Sequence, residues 1–242
     1  MGVGYQASPL HRIRFLEHIE GAQADAPPPG ASLLLKAIPG ATWDGRAARF
    51  RSPRIDDIVR WRAALNEKYR SQLGEELSWD ESSSFEQSGD VAASADMWLR
   101  YAAAVLDQQG PAAFNALGRQ MKPASPVLDA AFAEASRRGF SGRFPQLLLR
   151  AKYWLPYERD LIMEEPNWRG EIERYGSLFR LSDEIAEIRT SLTAAGAATT
   201  RSTTAGGAPD PDILAASWMV SETVARLCAA AVAQRLPLWT TG

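Results

Sequence analysis

The stretch from Tyr153 to Arg180 holds the densest set of side chains able to do chemistry. Its aromatics are Tyr153, Trp154, Tyr157, Trp168, Tyr175 and Phe179, interleaved with the acids Glu158, Asp160, Glu164, Glu165, Glu171 and Glu173. Three uses fit that mixture. The plainest is an aromatic set facing the core with a solvated acidic outer face. The second is a protein-binding surface, in which Trp and Tyr supply contact energy and carboxylates supply specificity for a basic patch. Its expected contact residues are Tyr153, Trp154, Tyr157, Glu158, Glu164, Glu165, Trp168 and Glu171. The third is a carboxylate-dependent enzyme such as a glycoside hydrolase, with aromatics stacking on a sugar and two acids acting as proton donor and base. Glu158, Glu164, Glu165 and Glu171 would be its acids to test.

Other chemistries find little to work with. There is no glycine-rich phosphate loop and no G-x-S-x-G elbow; Gly139-Phe140-Ser141-Gly142 misses the latter by one residue. One cysteine, Cys228, rules out an internal disulfide and the usual Cys/His zinc sites, and its apolar surroundings mark it as a small core residue. His11 and His18 are the only histidines, so a triad or a histidine base would have to draw on them. The expectation is therefore no catalytic set, no metal and no cofactor. Arg12, Arg14, Arg46, Arg49, Arg51 and Arg54 form a basic group, but no nucleic-acid motif accompanies them and a solvated sheet face explains them better.

The elements that would carry these residues read as mainly helical. Ser52-Pro53 opens a helix ending at Leu73-Gly74, with Ile55, Ile58, Val59, Leu65, Tyr69 and Leu73 as its inner face. Residues 75–89 read as a polar, serine-rich surface loop. Further helices are expected over 91–109, 112–121 and from Ser125-Pro126 to Gly139. Another is expected over 145–155, an apolar run broken at Pro156. Leu178, Leu181, Ile185, Ile188 and Leu192 give the sharpest helical periodicity in the chain. A last helix from Asp210-Pro211-Asp212 to about Arg235 is apolar on most sides and is expected at the centre of a bundle.

Only a small amount of β structure is legible. Residues 9–19 lean to strand, and Asp44-Gly45 before Ala47–Arg51 suggests a hairpin, with a second apolar run over 33–38. Residues 22–32 read as a proline-rich linker and residues 193–209 as a flexible low-complexity loop. The expected fold is thus a mainly α bundle of six to seven helices with a small N-terminal β-hairpin, forming one domain over residues 1–242.

The 242 residues are 45% apolar and 23% charged with a net charge of -2, which excludes a wholly disordered or fibrous chain. No secretory signal, myristoylation pattern or membrane span is visible, so the expectation is a cytoplasmic protein. Arginine (23) far outnumbers lysine (4), which suggests a GC-rich, bacterial coding sequence. Charge is unevenly spread: residues 61–100 sum to -4 and residues 151–190 to -3. Together these features favour a non-catalytic module that engages a basic partner protein through an acidic-aromatic surface. A bacterial immunity protein or a chaperone would suit it.

Overall fold

The computed structural model describes residues 2–23, 46–115, 125–138, 141–149, 151–197 and 213–241. A six-stranded mixed sheet runs through it, built from β1 (Gly2–Ala7), β4 (Gln87–Ala92), β5 (Tyr153–Leu155), β6 (Met163–Pro166), β7 (Ile172–Ser177) and β8 (Leu238–Thr241). Their order is β4-β1-β8-β5-β7-β6, antiparallel throughout except for the β5–β7 pair. A separate two-stranded sheet pairs β2 (Phe15–Gln23) with β3 (Arg46–Arg51), Phe15 lying opposite Arg51. The Asp44-Gly45 turn, the run over 33–38 and most of the linker over 22–32 lie outside the described residues.

Six helices are described: α1 (Ile55–Leu73), α2 (Ala93–Asn115), α3 (Ser125–Arg137), α4 (Pro145–Leu148), α5 (Leu178–Ala194) and α6 (Ile213–Gln234). The fold is α/β. This corrects the expected helix bundle with a small hairpin, because the sheet is assembled from segments read as loop, helix or terminus. The run over 145–155 is not one helix: it makes a single turn, α4, and then the inner strand β5, whose three residues are all buried.

Strand alternation sends successive side chains to opposite faces and so creates two cores. Tyr5, Ala7, Val91, Trp154 and Leu238 face a layer of helices in which α2, α5 and α6 supply Leu99, Ile185, Val224 and Cys228. Tyr153, Leu155, Met163, Tyr175 and Trp239 face the other way, onto Ile58, Trp61, Leu65 and Leu73 of α1 and onto Leu77 and Trp79. The sheet is therefore sandwiched between helical layers. α6 is long and apolar enough to span a bilayer, yet it lies in one of those layers, with Met219 exposed on its outer side.

Inside the helical layer, α4 and α5 are locked together by polar groups. Glu184 of α5 is buried and accepts the N–H groups of Gln146 (2.9 Å) and Leu147 (2.8 Å) at the start of α4. Gln146 in turn accepts the N–H of Ser177 at 3.0 Å. A side chain at Gly176 would collide with Gln146 Oε1 and would sit 2.6 Å from Trp154 Cδ1, so only glycine fits there. Gly110 breaks α2 with φ 78° immediately before Pro111, as a helix stop requires.

Burial raises the Glu184 carboxyl well above its ordinary 4.5; the two N–H groups oppose the shift, and Asp160 and Glu187 add to it. A carboxyl raised on folding stabilises below its unfolded pKa, and that contribution is lost as pH rises through the folded value. Glu184→Gln should therefore flatten the decline of the denaturation midpoint as pH rises above the ordinary carboxylate range. Glu184→Ala, which strands two buried N–H groups, should cost about 1–3 kcal/mol.

Candidate functional site

The acidic-aromatic segment folds as β5, the hairpin of β6 and β7, and the first turn of α5. The hairpin tip, residues 167–171, is organised by Asn167, whose Oδ1 accepts the N–H groups of Arg169 (2.8 Å) and Glu171 (3.1 Å). Asn167 Nδ2 donates to Glu171, its own N–H meets Glu171 O, and Gly170 takes φ +81° to close the turn. Asparagine suits this role because its short side chain can copy a backbone turn.

Helix α1 lies against that hairpin, reaching its tip through Trp61. Asp56 and Asp57 sit in its first turn, where the helix dipole favours acids, and Gly74 ends it at φ 72° with its N–H on Arg70 O. The cap falls at Arg54, two residues past Ser52, and the inner stripe differs from the expected one. Trp61 is buried, while Ile55 and Val59 are 43% and 41% exposed. The indole N–H of Trp61 donates to Pro166 O at 2.9 Å, fixing helix to hairpin. Its ring meets Trp168 edge-on at 5.4 Å, Tyr175 at 5.3 Å and Trp79 at 6.3 Å.

Residues 75–86 carry no helix or strand, in keeping with the surface loop expected over 75–89, but Leu77, Trp79 and Glu81 are buried within it and 87–89 belong to β4. Asn66 holds Leu77 by donating to its carbonyl (3.0 Å) and accepting from its N–H (2.7 Å), much as a strand would. Glu81 is buried and collects the N–H groups of Leu10 and His11, the indole N–H of Trp79 and the His11 ring at 3.2 Å. Several donors converging on one carboxylate offset its desolvation, which is why an acid can sit there.

Between α1 and the hairpin lies a groove of about 490 Å³. Asp57, Arg60, Trp61, Ala64, Leu65 and Lys68 form its helix side, and Glu165, Pro166, Asn167 and Trp168 its hairpin side. Glu165 bonds to Lys68 and to the Tyr69 hydroxyl, and these bonds hold its carboxyl below the usual range. At the other end, Arg60 pairs with Asp57 at 2.5 Å.

Of the eight expected contact residues, the structure brings Glu165 and Trp168 to this groove. Glu158, Glu164 and Glu171 are exposed on the same hairpin or just before it. Tyr153, Trp154 and Tyr157 are buried, at 6%, 1% and 0% exposure, so their energy goes into the fold. Trp154 even faces the opposite core, stacked on Tyr5 at 6.3 Å. The acids do not share a partner: Glu164 pairs with Arg174 (2.9 Å) and Glu171 with Arg169 (3.0 Å), while Glu165 takes Lys68. Among the described residues no group of three or more His, Cys, Asp or Glu could hold a metal ion.

Sequence reasoning did not single out Trp61, Lys68, Asp57 or Asn167. The available signals were Trp61 lying three residues after Ile58 and four before Leu65, and the Pro166-Asn167…Gly170 turn pattern between two alternating runs. Comparison with protein-family models, with curated proteins and with solved structures gave no match.

Proposed function

We propose that this chain is a non-catalytic module that binds a basic partner protein on the face built by α1, the segment after it and the β6–β7 hairpin. One observation carries the reading. Residues 55–86 and 152–177 hold fourteen carboxylates against eight bases; Arg12 and Arg235 pair with Glu86 and Glu75 from outside these ranges, which leaves a balance of -4 in a chain that sums to -2. A partly apolar groove sits within that face, between α1 and the hairpin. The groove itself is lined by two acids and two bases, Asp57 and Glu165 with Arg60 and Lys68, so the attraction for a cationic surface comes from the carboxylate excess around it. An immunity protein that neutralises a basic toxin, or a chaperone dedicated to one, would need a face of this kind.

Charge reversal tests the reading. Glu67 lies exposed on α1 one turn after Ala64 of the groove, and Glu171 is exposed and bonded locally at the hairpin tip, so Glu67→Lys with Glu171→Lys should change thermal stability little. In pull-downs from the cells that express the chain, the double variant should retain about tenfold less of a salt-eluted basic protein. Equal retention by the variant would remove this face from consideration. Glu165 is a poorer choice for reversal, because it ties α1 to the hairpin through Lys68 and Tyr69.

A further inference from the structure

We propose that the groove between α1 and the hairpin receives an arginine side chain of the basic partner, and that Lys68 holds the Glu165 carboxylate until that arginine displaces it. The inference rests on the binding reading above and makes it specific. Trp61 and Trp168 meet at 81° and both line the groove; Trp61 is buried among three rings, so the half-buried Trp168 supplies the accessible aromatic wall. A guanidinium stacks on an aromatic face and reaches a carboxylate with two parallel donors, which an ammonium cannot do.

The anion for that fork is already in place. The Glu165 side chain is only 14% exposed and is fixed by Tyr69, whereas Lys68 is 58% exposed. An exposed lysine pair contributes little and costs rotamer freedom, so exchanging it for a bidentate arginine is a small step. Asp57 and Arg60 repeat the arrangement at the other end of the groove, with Arg60 at 77% exposure. The groove volume lies within the roughly 300–1,000 Å³ usual for ligand sites. The surrounding excess of carboxylate selects a cationic occupant over an acidic one.

A capped tetra-arginine peptide, titrated into protein carrying ¹⁵N-labelled indoles, tests this. The Trp61 and Trp168 indole signals should shift and saturate, and a tetra-lysine peptide should bind more weakly. Lys68→Met should tighten the arginine peptide by about two- to five-fold, because it frees Glu165. Glu165→Gln, which keeps an acceptor for Tyr69, should erase that gain. A purely structural role for Lys68 would give no gain on its removal. If signals outside the groove move while both indoles stay still, or if Lys68→Met leaves affinity unchanged, the groove inference fails and the acidic-face reading stands. If no signal moves at all, both fail.

Discussion

Trp61→Ala should lower the unfolding free energy by about 3–5 kcal/mol, read as a shift in the urea midpoint. The ring is 8% exposed and sits among Trp79, Trp168 and Tyr175, so truncation removes a large apolar area and leaves a cavity between α1 and the sheet. Pro166 O also loses its donor. Trp61→Phe keeps a six-membered ring but loses the pyrrole half with its N–H, so it should cost about 1–3 kcal/mol. A loss below about 1 kcal/mol for Trp61→Ala would mean that α1 is not held to the sheet through this residue.

Arg100→Met should cost a comparable amount, about 3–5 kcal/mol, through electrostatics. Asp96 is 7% exposed and is held by Arg100 Nε at 2.9 Å and by the Tyr5 hydroxyl, while Arg100 Nη1 donates to Leu147 O at 2.8 Å. Burial alone would favour neutral Arg100, but Asp96 and Tyr5 outweigh it and keep the guanidinium charged. Removing Arg100 leaves a buried carboxylate that still repels ionisation of Tyr5, a hydroxyl already raised by burial and by Asp96. Adding Asp96→Leu to Arg100→Met should recover part of the loss, because the unpaired charge then goes too. The midpoints of the single and double variants decide whether charge or packing dominates here.

The longer helices were legible because each repeats apolar residues with a period near 3.6. The 3-4-3-4 spacing from Leu178 to Leu192 became α5, with all five of those residues buried. The sheet was hidden for physical reasons. β5 is buried on both faces, so Tyr153-Trp154-Leu155 shows no alternation and merges with the apolar run before it. β4 is an edge strand with polar residues on its open side, and Gly89 lets α6 approach: a Cβ there would lie 2.7 Å from Thr223 Cγ2. Local pattern cannot reveal such pairings, because the partners of β1 lie about ninety and more than two hundred residues away.

The candidate site was legible in composition but not in geometry. Aromatic and acidic residues do converge there, yet half the groove comes from α1, whose inner stripe was drawn through Ile55 and Val59 instead of Trp61. Periodicity alone places both stripes on neighbouring faces of one helix. The choice is made by the sheet, where Tyr175 and Trp168 offer the larger ring something to pack against. Glu81 carries the opposite lesson, since an acid in a serine-rich stretch looks solvated until the donors it gathers are known.

Photo-crosslinking from two faces measures most directly where partners dock. A benzophenone side chain placed at Ala64 samples the groove between α1 and the hairpin, and one at Met219 samples the outer side of α6; both positions are exposed. Irradiation in the expressing cells should give an adduct with a basic protein from Ala64, absent from Met219 and abolished by Glu67→Lys with Glu171→Lys. Adducts of equal yield from both positions, or one from Met219 alone, would contradict the assignment of function to this face.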